Sequence, residues 1–190
     1  MVSLKNNEKD NINLRRSLMV KYNKKIAFSL AILIIPWLTV PFMGKRNFFR
    51  FLPVASFTNL FLSVFSLICN KKKWWITQNP LSPGPIDFTY ILGPYFVATL
   101  WIFKLTYGNF PKYLITNMVL DFFNAFPLPY IGKKFGIVKF IKMKHTTWYF
   151  ICVFLAIVIY GYQYVVEQSI RKAASFKDTE LSSNKNQDEV

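Results

Sequence analysis

Histidine occurs once in this 190-residue chain, at His145, and cysteine twice, at Cys69 and Cys152. Ordinary metal ligation needs several such side chains at close spacing, so the sequence offers no metal site. The two cysteines lie far apart inside apolar runs, where they read as small buried hydrophobes and not as a disulfide. Acidic residues are also scarce, nine Asp and Glu against 24 Lys and Arg. No apolar run carries two carboxylates, which removes the usual general acid and base pair. There is no Gly-rich phosphate loop, no G-x-S-x-G and no H-E-x-x-H. No catalytic residue and no cofactor is therefore assigned, and the chain reads as a non-enzyme.

Apolar residues are what the chain has in excess: 53% hydrophobic, 18% aromatic and a mean hydropathy of +0.24. That is too apolar for a water-soluble domain with polar tails. The excess falls in five blocks, each near the ~20 residues that cross ~30 Å of hydrocarbon. None alternates with period two, so helices are the form that satisfies the backbone internally. The expected fold is an all-α integral membrane bundle of five transmembrane helices, at 26–43, 51–69, 88–103, 113–130 and 148–166. A basic cytoplasmic arm, 1–25, precedes it and a polar, disordered tail, 167–190, follows. Four spans plus a re-entrant 113–130 is the second choice.

The net charge of +15 sits in short basic clusters between the blocks. That pattern points to anionic lipid headgroups as partners and away from nucleic acid. Headgroup contacts are expected from Lys71, Lys72, Lys73, Trp74 and Trp75, and from Lys133 and Lys134. Other membrane proteins or a second copy of the chain are admissible partners. With the N-terminus cytoplasmic, five spans leave fifteen Lys and Arg inside and nine outside, whereas a re-entrant fourth block gives fourteen and ten. The sequence thus reads as a multi-pass plasma-membrane protein with a cytoplasmic N-terminus.

Local signals add detail. Pro53 suits the first turn of the second span, and Asp87 suits the cap of the third, which Gly93 and Pro94 should bend. Residues 131–147 fit neither helix nor strand periodicity and read as a basic interfacial loop holding a solvated His145.

Two blocks carry polar stripes. In the fourth, Asn117, Asp121 and Asn124 recur at helical spacing with Tyr113 one turn earlier. In the second, Ser56, Asn59, Ser63, Ser66 and Asn70 do the same. An ionised carboxylate in mid-span costs several kcal/mol unless paired, so Asp121 is the sharpest candidate. Asn117, Asp121, Asn124, Asn59 and Ser63 form the candidate intramembrane site. One reading makes the stripes interhelical glue in a structural or accessory membrane component. The other makes them the binding site of a small solute transporter or substrate-binding subunit, with Lys104 as the nearest counter-ion in sequence.

Three segments carry a resemblance: IPWLTVPFMGKRNFFRFLP (Ile35 to Pro53), KKKWW (Lys71 to Trp75) and GPYFVATLWIFKLTYGNFPKYL (Gly93 to Leu114). Over roughly Ile26 to Tyr164 the chain resembles a family of small, uncharacterised polytopic membrane proteins of spore-forming Gram-positive bacteria. The resemblance implies an integral, multi-span plasma-membrane protein and carries no activity or functional residue with it.

Overall fold

A computed structural model describes residues 2–135 and 137–187, with side chains described over 13–135, 137 and 141–176. Among the described residues the chain is mostly helical, with one short ladder. Helix α1 runs Val2–Trp37, and a 3-10 turn at Val40–Met43 leads into α2, Lys45–Lys71. Strand β1 (Trp75–Thr77) and an irregular loop precede α3, Phe88–Thr106. Then come α4 (Phe110–Ala125), α5 (Pro127–Phe135), β2 (Val138–Phe140) and α6 (His145–Gln187). Among the described residues four helical segments are long and apolar enough to cross a membrane: Asn13–Met43, Lys45–Lys71, Phe88–Thr106 and His145–Phe176.

The fourth apolar block is not one helix. Pro127 has no N–H to donate to the Phe123 carbonyl, and proline suits the first turn of a helix, so α4 stops at Ala125 and Pro127 opens α5. With 16 residues, α4 is about 24 Å long at 1.5 Å per residue, short of the ~30 Å hydrocarbon core. It nevertheless runs the length of the bundle. At one end Lys104 Nζ donates to the Phe42 carbonyl (3.1 Å), Trp101 Nε1 donates to Thr39 Oγ1 (3.0 Å), and Arg50 pairs with Glu167. At the other, β1 and β2 pair antiparallel with Trp75 opposite Phe140, and Gln78 N donates to the Ile137 carbonyl (2.6 Å). Since α3 ends at the first end and β2 lies at the second, α4 must carry the chain back between them.

Helix α3 is built around an irregularity. Pro94 removes a backbone donor, and residues Ile91–Tyr95 relax into a π-turn that accommodates it. Asp87 caps the helix as expected, its Oδ1 accepting from Tyr90 N at 3.2 Å. Gly93 gives α1 its seat: a Cβ there would lie 2.7 Å from the Ile32 carbonyl oxygen and 3.0 Å from Leu33 Cα. Along its apolar length α1 is otherwise exposed or half-buried, with Ser29 buried and Phe28 stacked on Phe135. The core lies among α2, α3, α4 and α6. Phe103, 1% exposed, stands among Phe51, Tyr113 and Tyr160, and nearer the ladder Trp148 packs edge-on to Trp75 at 5.1 Å.

Several expectations change. Helix α2 begins at Lys45, which puts Pro53 in the helix interior and not in the first turn. Residues 131–147 are not a loop but the end of α5, strand β2, a short turn and the start of α6. The tail expected to be disordered from Glu167 continues as helix to Gln187, and 188–190 lie outside the described residues. The arm at 1–25 is, from Val2 onward, the first two-thirds of α1. Trp75 is buried against Phe65 and Trp148 and does not face headgroups, whereas Lys71, Lys72, Lys73, Lys133 and Lys134 are exposed and Trp74 is half-buried beneath Lys72.

Candidate functional site

Asp121 sits in the C-terminal half of α4, on the face turned towards α6 and α3, and is 7% exposed. Helical spacing brings Tyr113, Asn117 and Asn124 to the same side, and all four line a cavity of about 200 Å³. Helix α3 contributes Tyr90, Tyr95 and Thr99, and α6 contributes Cys152 and Ala156.

Most of the polar groups around the cavity are engaged. Tyr113 OH donates to the Ala156 carbonyl (3.0 Å), and Asn117 Nδ2 donates to the Tyr113 carbonyl (2.8 Å). Tyr90 OH donates to Asn124 Oδ1 (2.5 Å), and Asn124 Nδ2 lies 4.0 Å from Cys152 Sγ. Thr99 Oγ1 bonds back to the Tyr95 carbonyl (2.8 Å). The carboxylate of Asp121 makes no hydrogen bond or ion pair among the described residues, and no Lys, Arg or His lines the cavity. A buried acid with neither partner nor counter-ion is costly where it stands, unless something the cavity admits satisfies it. The exposed residues at the rim, Ala98, Leu120, Phe123 and Leu128, are all apolar, so the cavity opens on the flank of the bundle.

The five residues expected at the site divide accordingly. Asn117, Asp121 and Asn124 come together, but Asn59 and Ser63 do not join them. Helix α2 packs on α3 and α6, while α4 packs on α6, α3 and α5, so the two stripes form no helix pair. Within the second stripe Ser56 is exposed, Ser66 donates to the Pro85 carbonyl at 3.0 Å, and Asn59 is buried with its Oδ1 unpartnered. Lys104 is no counter-ion for Asp121, since its ammonium lies on the Phe42 carbonyl and 4.5 Å from the Trp101 ring centre. His145 is not simply solvated: its Nδ1 lies 2.8 Å from the Ala125 carbonyl and ties the start of α6 to the end of α4. Cys69 and Cys152 are buried and free.

Tyr90, Tyr95 and Cys152 are the residues sequence reasoning missed. Each lies in an apolar block outside the two polar stripes, and only the packing of α3 and α6 on α4 brings them to Asp121. No family model, no curated protein and no solved structure matches this chain.

Proposed function

We propose that this chain is an integral plasma-membrane protein that binds a small ligand at Asp121, with a cationic group of the ligand as the carboxylate's missing partner. The observation that carries the reading is the unpartnered carboxylate, buried in a cavity that no basic side chain among the described residues lines. A purely adhesive Asp would be expected to hold a hydrogen bond to a neighbouring helix, and this one holds none. Binding is proposed and not bond-breaking chemistry, because among the described residues no second carboxylate, His or Lys stands in the cavity to share proton transfer with Asp121.

Five crossings, with α4 as a short fourth one, are part of the proposal. The β1–β2 ladder supports them, because it returns the chain to the end from which α3 set out. The N-terminus then lies with the ladder on the basic, cytoplasmic side and the C-terminus on the opposite side. A reporter fused after Gln187 should score as extracytoplasmic, and a cytoplasmic score would reject this topology.

The site is tested by labelling the full chain, reconstituted in neutral lipid, with a lipid-soluble carbodiimide. Asp121 should be modified, as mass spectrometry of the fragment would register, and butylammonium should protect it. An unlabelled Asp121 in folded protein, or labelling that no ammonium slows, would remove the site. Asp121→Asn should keep or raise the melting temperature, since no bond is lost, whereas a marked fall would restore the adhesive role.

A further inference from the structure

A second and larger cavity, about 450 Å³, lies between α1, α2, the π-turn of α3, α5 and the start of α6. That volume falls in the ~300–1,000 Å³ range of small-molecule sites. Its walls are chiefly hydrocarbon and aromatic ring, among them Phe28, Ile32, Leu62, Ile91 and Trp148. The polar groups at its margin, Asn79, Asp87 and Thr89, satisfy one another at 2.5–2.9 Å. Ser29 Oγ is the one buried polar side-chain atom lining it that lacks a partner. Among the described residues no Lys, Arg or His lines this cavity either.

The two cavities share a wall. Tyr90, Pro94, Asn124 and Leu128 line both, and the side-chain bond across that wall is the one from Tyr90 OH to Asn124 Oδ1. One compartment is thus small and holds an unpaired carboxylate, and the other is large and apolar. A hydrogen bond between two side chains stands between them.

We infer that the ligand is a cationic amphiphile, an ammonium head on an aliphatic chain, with the head at Asp121 and the chain in the larger cavity. This rests on the reading of Asp121 given above. The chemistry of the two compartments selects the class: the carboxylate takes a cation, and the apolar walls take a chain whose burial leaves no polar atom unsatisfied. The apolar rim of Ala98, Leu120, Phe123 and Leu128 suits entry from the hydrocarbon phase. For the chain to follow, the Tyr90–Asn124 bond opens, and Tyr90 stands where the first turn of α3 meets its π-turn.

The test compares butylammonium, dodecylammonium and dodecanol as protectors of Asp121 against the carbodiimide. It uses the full-length chain and the Ala31→Trp variant, because Ala31 lines only the larger cavity. Comparing the two proteins in the same lipid cancels partition of the chain into the bilayer. The advantage of dodecylammonium over butylammonium should be about ten-fold greater in the unaltered chain than in the variant, as expected when a second contact is tethered to the first. An equal advantage in both, with butylammonium still protecting, would overturn the amphiphile and leave the Asp121 site standing. If no ammonium protects, both readings fall together. Dodecanol protecting as well as dodecylammonium would overturn the head assignment. Should Ala31→Trp not fold, brominated dodecylammonium replaces it as a probe. It should quench tryptophan fluorescence, Trp75 and Trp148 lining the larger cavity, and should quench less in Asp121→Asn; equal quenching would overturn the inference.

Discussion

Gly93→Ala should loosen the seat of α1 and leave the rest of the bundle in place. The new methyl would meet the Ile32 carbonyl oxygen at 2.7 Å and Leu33 Cα at 3.0 Å, where ordinary contact starts near 3.4 Å. Both atoms are backbone, so no side chain can rotate away and α1 itself must retreat by several tenths of an ångström. Overpacking of this kind costs ~1–3 kcal/mol. Alanine recovers up to ~1 kcal/mol through helix propensity, leaving a net loss of about 1–2 kcal/mol. For a chain of this size that lowers the melting temperature by about 2–8 °C. The retreat also strains the neighbouring bond from Trp37 Nε1 to the Leu92 carbonyl, 2.9 Å in the native chain. Trp37→Phe, which removes that donor, should cost about 1 kcal/mol in the native background and much less beside Gly93→Ala. The assay is thermal unfolding in detergent of the two single variants and the double. A Gly93→Ala protein that melts at or above the native temperature would refute the reasoning, as would full additivity with Trp37→Phe.

Three further outcomes are expected. Tyr113→Phe removes the bond to the Ala156 carbonyl and should lower stability by about 0.5–1.5 kcal/mol, which denaturant titration would register. A double-mutant cycle on Arg50→Ala and Glu167→Ala should give a coupling of about 1 kcal/mol that fades with added salt, since Arg50 is partly exposed; a coupling insensitive to salt would contradict a screened pair. Trp148→Ala empties the packing site against Trp75 and Phe65 and should cost about 3–5 kcal/mol, read as a fall in melting temperature.

Much of the framework was legible before folding. The five apolar blocks marked where helices form, because length and hydropathy are local properties of the chain. Asp87 announced its cap and Pro94 the irregularity in α3, since a cap and a missing donor act within one turn. The spacing of Asn117, Asp121 and Asn124 put them on one face by helix geometry alone. Residues 131–147 were opaque because β2 is stabilised by β1, more than sixty residues earlier, and a three-residue strand has no periodicity to detect.

What the sequence determined by itself was therefore the helical framework, the excess of positive charge on alternate connections and the polar face of α4. Tertiary structure decided what that face meets. Pairing it with the stripe on α2 is the simple expectation for two polar faces. Packing instead sets α4 against α6 and α3, so Asp121 looks into a cavity with Tyr90 and Tyr95 while Asn59 stays elsewhere. Neighbour choice among helices depends on side-chain shape and on close approaches such as that of α1 to Gly93, which periodicity within a single segment does not encode.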